Sequence, residues 1–104
     1  MREGDRVIPI FAQRWIAGAP TRERLRSTLG GPLDGTLAEY VVLPEDGVVH
    51  APSHLEDEEA ASLPCSAVTA WNALVGDHPI NAGDTVLVQG TGGVSIFALQ
   101  LGQL

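Results

Sequence analysis

The sequence predicts an α/β protein, and a few features carry that reading. A near-continuous apolar run, Thr85-Val86-Leu87-Val88-Gln89, breaks into Gly90-Thr91-Gly92-Gly93. Helical spacing flanks it, with Val68, Ala70, Trp71 and Leu74 before and Val94, Phe97, Ala98 and Leu101 after. Short runs of β-formers between turn signals fill the first half. The chain is therefore expected to pass from an irregular, β-leaning half to a helix-strand-turn-helix half.

The elements follow in order. Gly4-Asp5-Arg6 reads as a turn and Val7-Ile8-Pro9-Ile10 as a short strand, at an edge because Pro9 donates no ladder bond. Thr21–Leu29 suits one or two helical turns with Arg22, Glu23, Arg24 and Arg26 solvated, stopped by Gly30-Gly31-Pro32. After the Asp34-Gly35 turn, Thr36–Leu43 is rich in β-formers and closes at Pro44. Asp46-Gly47 then turns into Val48-Val49-His50-Ala51, so a hairpin of these two runs is expected. Ser53–Leu63 reads as a helix, with Glu56, Asp57, Glu58 and Glu59 placed early, where carboxylates meet the positive end of the helix dipole. Pro64 interrupts it, and a helix resumes over Cys65–Leu74 until Asp77-His78-Pro79. The run Thr85–Gln89 has the pattern of a strand buried on both faces of a parallel sheet.

Composition narrows the function. With 104 residues, 44% hydrophobic and 18% charged, the chain suits one small globular domain. No apolar run is long enough to cross a membrane and no secretory signal opens the chain, so a cytoplasmic protein is expected. All six Arg lie in residues 1–26 beside three acids, whereas residues 27–104 hold ten acids and no Lys or Arg. Most of the chain repels phosphate, which argues against a nucleic-acid partner. A single Cys, Cys65, excludes an internal disulfide framework and a zinc site of several thiolates.

Strand, glycine turn and helix form the front of a βαβ unit. A dinucleotide site needs a first Gly for the turn, a second for close backbone approach, and a helix N-terminus whose amides meet the pyrophosphate. Gly90-Thr91-Gly92-Gly93-Val94-Ser95 supplies these, with Ser95 at the third glycine position. The competing reading is a plain Gly-rich strand-to-helix turn. No Gly-Lys-Ser/Thr follows, so a nucleoside-triphosphate loop is excluded. His54-Leu55-Glu56 with Pro64-Cys65 imitates a zinc deaminase pattern, but Val68 stands where its second Cys belongs.

The ordered set Gly4-Asp5-Arg6-Val7, Asp34-Gly35-Thr36-Leu37-Ala38-Glu39-Tyr40, Leu63-Pro64-Cys65-Ser66-Ala67-Val68-Thr69-Ala70-Trp71 and Gly83–Ser95 resembles medium-chain dehydrogenases/reductases. The resemblance covers nearly the whole chain. It implies the later part of a GroES-like catalytic domain over residues 1–63. Over 64–104 it implies an interdomain helix and the first strand, turn and helix of a Rossmann domain. The chain would then be a fragment, inactive alone, of an NAD(P)-dependent oxidoreductase acting on an alcohol, a carbonyl or an activated alkene. The segment between Ile10 and Asp34 has no Cys. The chain therefore resembles the quinone oxidoreductase branch, which lacks the structural zinc.

For site residues the resemblance implies NAD(P)H contacts from Gly90, Thr91, Gly92, Gly93, Val94 and Ser95, with Thr69 near the nicotinamide. For Thr69 the alternative is a hydroxyl bonded to a carbonyl one turn back. Cys65 aligns with one ligand of the family's catalytic zinc, but one ligand is not a site, and a small buried residue is the favoured reading. Trp71 is expected in the core, Tyr40 as a paired sheet aromatic, and His50 and His78 at the surface without partners. No catalytic residue is assigned. The parent is expected to be a homo-oligomer with a small-molecule substrate and no membrane partner. Two alternatives remain: a zinc alcohol dehydrogenase using Cys65, and a non-catalytic nucleotide-binding member of the fold.

Overall fold

A computed structural model describes residues 1–104. They divide into two compact units, Met1–Glu56 and Asp57–Leu104.

In the first unit, strand β1 (Val7–Pro9) pairs antiparallel with β2 (Val48–His50), in the register Val7↔His50, Ile8↔Val49 and Pro9↔Val48. The ladder continues past both ends: the Ile10 amide donates to Gly47 O at 3.0 Å and the Ala51 amide to Arg6 O at 2.9 Å. Pro9 is tolerated because the sheet has only two strands, so each is an edge. A short 3-10 turn, Glu45–Gly47, delivers the chain into β2. Beneath it the buried Gln13 donates from Nε2 to Ile10 O at 2.6 Å and to Gly47 O at 3.0 Å. A Cβ on Gly47 would collide with the Gln13 amide, which would have to shift off its bonds. Helix α1 (Arg22–Leu25) is a single turn, capped where the Arg24 amide donates to Thr21 Oγ1 at 3.2 Å.

In the second unit, α2 (Asp57–Ala61) carries Asp57, Glu58 and Glu59 in its first turn, as the dipole argument expects. A wide π-helical turn, Leu63–Ala67, follows, with the Val68 amide reaching back five residues to Leu63 O. Pro64 sits inside that turn without ending the helical path. Helix α3 (Val68–Val75) continues it and stops at Gly76, where a Cβ would meet the Asn72 carbonyl. Helix α4 (Gly93–Leu101) packs against α3 and the π turn around a core of Ala70, Leu74 and Ala98, with Val88, Phe97 and Leu101 against it.

Several expectations are corrected. Thr36–Leu43 forms no strand, so the hairpin with residues 48–51 does not exist; β1 takes β2 instead. Thr85–Gln89 is also not a strand, and Leu87 is 83% exposed. The physical reason is common to both: β-formers become a strand only when a neighbouring ladder pairs their amides and carbonyls, and neither run has one. Tyr40, at 90% exposure, pairs in no sheet. Helix α1 ends at Leu25, short of the glycines, because Thr28 and Leu29 make bridge contacts with Ala12 and Leu33. Trp71 lies on the outer side of α3, 56% exposed, and not in the core.

Replacing Gly47 with Ala is expected to lower the stability of the full chain by about 1–3 kcal/mol, the usual cost of overpacking. The new methyl drives the Gln13 amide off the Ile10 and Gly47 carbonyls. Urea denaturation with an unchanged slope checks this.

Candidate functional site

The glycine turn begins at Gly90, whose φ of +90° is a conformation side chains with a Cβ rarely adopt. It ends at Gly92, the extended residue that caps α4. No side chain caps the helix from that position. The first intrahelical bond, Ile96 N to Gly92 O at 3.1 Å, leaves the amides of Gly93, Val94 and Ser95 without helical partners. Together with the positive end of the helix dipole, these amides form an anion-accepting mouth. The flanking residues Thr91, Gly92, Gly93 and Val94 are all exposed, so the mouth is open.

Each residue of the turn has a distinct structural reason. A Cβ on Gly92 would meet nothing within 4 Å, so hydrogen at this position holds space open in front of the amides. A Cβ on Gly93 would stand 2.7 Å from Ser66 Oγ and 3.0 Å from Ser66 Cβ. The start of α4 therefore approaches the π turn too closely for any side chain. Ser95, at the third glycine position, donates its hydroxyl to Gln89 O at 2.9 Å. That bond closes the turn across the residues between them.

Thr69 lies on the first turn of α3, exposed. Its hydroxyl makes no hydrogen bond to a carbonyl one turn back, so it is free to meet a ligand. The π turn that presents Ser66 to Gly93 runs directly into α3. This link was not legible in the sequence, where Ser66 was only part of the Leu-Pro-Cys run; the contact follows from the i→i−5 widening.

Cys65 is exposed, which corrects the expectation of a small buried residue: the widened turn carries its side chain outward. No group of three His, Cys, Asp or Glu side chains comes together that could hold a metal ion. These residues do not by themselves make a zinc site; Cys65 could supply one ligand of it. His78 is exposed as expected, whereas His50 Nε2 lies 3.9 Å from Asp5 Oδ2 and so has a neighbour the sequence did not suggest.

No family model matches the chain. It is 51% identical over 100 residues to a zinc-type alcohol dehydrogenase-like protein of Schizosaccharomyces pombe, covering 94% of this chain and 29% of that protein. It is 43% identical over 72 residues to the mitochondrial NAD(P)H oxidoreductase RTN4IP1 of Homo sapiens, covering 64% of this chain and 18% of that one. A crystal structure of a protein provisionally named an alcohol dehydrogenase, from Sinorhizobium meliloti, superposes with a TM-score of 0.87 at 50% identity, over 99% of this chain and 31% of that one. The chain thus spans less than a third of the length of these relatives.

Gly93→Ala is expected to destabilise the second unit by about 1–3 kcal/mol through the clash with Ser66. Ser66→Gly in the same chain should return most of that loss. Gly92→Ala should shift the thermal midpoint little, because its methyl enters open space. Thermal unfolding followed by circular dichroism separates the three.

Proposed function

Because the chain belongs to the medium-chain dehydrogenase/reductase superfamily, we propose that it supplies the pyrophosphate-binding turn of an NAD(P)-dependent oxidoreductase. The observation that carries the reading is the uncapped N-terminus of α4, where Gly92 leaves open space beside free amides. In this reading residues 1–63 belong to the GroES-like catalytic part. Residues 64–104 hold the connecting helix and the start of the Rossmann part.

The dinucleotide fits what the residues offer. The amides of Gly93, Val94 and Ser95 meet the diphosphate oxygens, and Gly90 and Gly92 let the backbone come close. Thr91 lies between them on the exposed lip. Thr69 offers a hydroxyl toward the nicotinamide end. The bound nucleotide supplies the hydride; the protein's part is to hold it and exclude competing reactions. Substrate is a small alcohol, carbonyl or activated alkene. In this reading the oxygen charge that develops is met by hydrogen-bond donors; in the alternative, a zinc ion takes Cys65 as one ligand and its others from outside these residues. The relatives' names, which include both alcohol dehydrogenases and NAD(P)H oxidoreductases, support this class of chemistry.

The remaining features of the reading are a homo-oligomeric enzyme, a small-molecule substrate and a cytoplasmic location. No helix is long and apolar enough to cross a membrane. Subcellular fractionation decides location, and a mitochondrial result, as in the name of one relative, replaces the cytoplasmic one.

Calorimetry of the complete polypeptide carrying these residues is expected to detect binding of NADH or NADPH. Gly92→Val should weaken that binding by about tenfold or more, which corresponds to about 1.4 kcal/mol, without lowering the unfolding midpoint. No uptake of either nucleotide, or equal affinity in the variant, sinks the reading. By themselves the 104 residues are expected to oxidise no NAD(P)H, since they span less than a third of the length of their relatives; turnover by the isolated chain, followed by absorbance of the reduced nicotinamide, contradicts this.

A further inference from the structure

We propose that the first unit carries a separate binding site for a small, multiply charged oxyanion, built from Arg14, Arg22 and Arg26. These three side chains line an open cavity of about 550 Å³ together with Glu23, Ser27 and Leu33. That volume lies in the range of small-molecule sites.

The backbone brings the three arginines together by defined bonds. Arg22 and Arg26 stand one helical turn apart, joined by Arg26 N to Arg22 O at 3.2 Å, so their side chains share one face of α1. Arg14 is tied to the same place from the other side: its amide donates to Ser27 Oγ at 2.9 Å, and the Gln13 amide donates to Ser27 O at 2.9 Å. Ser27 is 2% exposed and also donates its hydroxyl to Arg24 O at 2.6 Å, so the junction is held from within. Leu33 closes the cavity through its amide bond to Thr28 O at 3.0 Å.

The arrangement runs against local stability. Like charges one turn apart weaken a helix, and α1 is only four residues long. No ion pair or side-chain hydrogen bond within the chain engages Arg14, Arg22 or Arg26. Arg24 behaves differently. Its Nη1 donates to Ala19 O at 2.6 Å, and it lies outside the cavity. Three unengaged guanidiniums against one carboxylate, Glu23, leave a cationic hollow in a chain whose net charge is −7. Guanidinium forks match the paired oxygens of phosphate and carboxylate groups, and several converging on one hollow select a ligand with more than one negative charge. A phosphate ester and a tricarboxylate share that chemistry.

The test is a ¹⁵N NMR titration of the full chain with pyrophosphate and, separately, with citrate. Saturable shifts are expected at Arg14, Arg22, Arg26 and Ser27. The stronger of the two probes names the source. The pair Arg22→Gln/Arg26→Gln, both exposed, should weaken binding at this site by at least about tenfold, with the rest of the spectrum unchanged. The pair Arg22→Lys/Arg26→Lys keeps the charge without the fork and should recover only part of the affinity. Unaltered affinity in the glutamine pair, or shifts from both anions confined to Gly90–Ser95, overturns the proposal. The second outcome would leave the nucleotide reading intact, and loss of nucleotide binding in Gly92→Val would leave this one intact.

Discussion

The second unit depends on one close approach, that of Gly93 to Ser66, where a side chain on the helix would stand 2.7 Å from the serine hydroxyl. This contact seats the N-terminus of α4 on the π turn, and the same turn leads straight into α3. The small core of Ala70, Leu74 and Ala98 forms because the two helices are brought together there. The amides of the α4 mouth then face outward with their geometry already set, so under the proposed function a diphosphate would meet donors that need no rearrangement. A wider spacing at this point would move the mouth, the core and Thr69 together.

The first unit is organised around a different kind of constraint. Its sheet is a single strand pair, too small to be stable by itself, and a buried side chain supports it. Gln13 stands in for a third strand by bonding the carbonyls of Ile10 and Gly47. Its own Oε1 is buried without a partner, a cost that the sheet's two carbonyl bonds offset. Ser27 performs a similar service for the arginine-rich segment, accepting and donating at one hydroxyl. Both units thus rely on polar side chains and glycine contacts more than on apolar mass. No large side chain is fully buried anywhere in the chain.

Many large apolar residues are correspondingly exposed, including Leu37, Tyr40, Val42 and Leu87. These four lie in the two runs whose composition announced strands. The crystal structure from Sinorhizobium meliloti is about three times as long as the chain, yet superposes with a TM-score of 0.87. The path of the backbone through those runs is therefore shared with a larger fold even where no ladder is made.

The turn Gly90–Ser95, the helix after it, the acids opening α2 and the strand at Val7 were legible in the sequence because each rests on local chemistry: glycine freedom, dipole complementarity, β-branching. So was the family, because an ordered set of short motifs is far more specific than any one of them. The partner of β2, the exposure of Trp71 and Cys65, the role of Ser66 and the convergence of Arg14 with Arg22 and Arg26 were decided only in three dimensions. Residues far apart in sequence meet through contacts whose register no local pattern encodes, and a β-former becomes a strand only when another chain segment offers it hydrogen bonds.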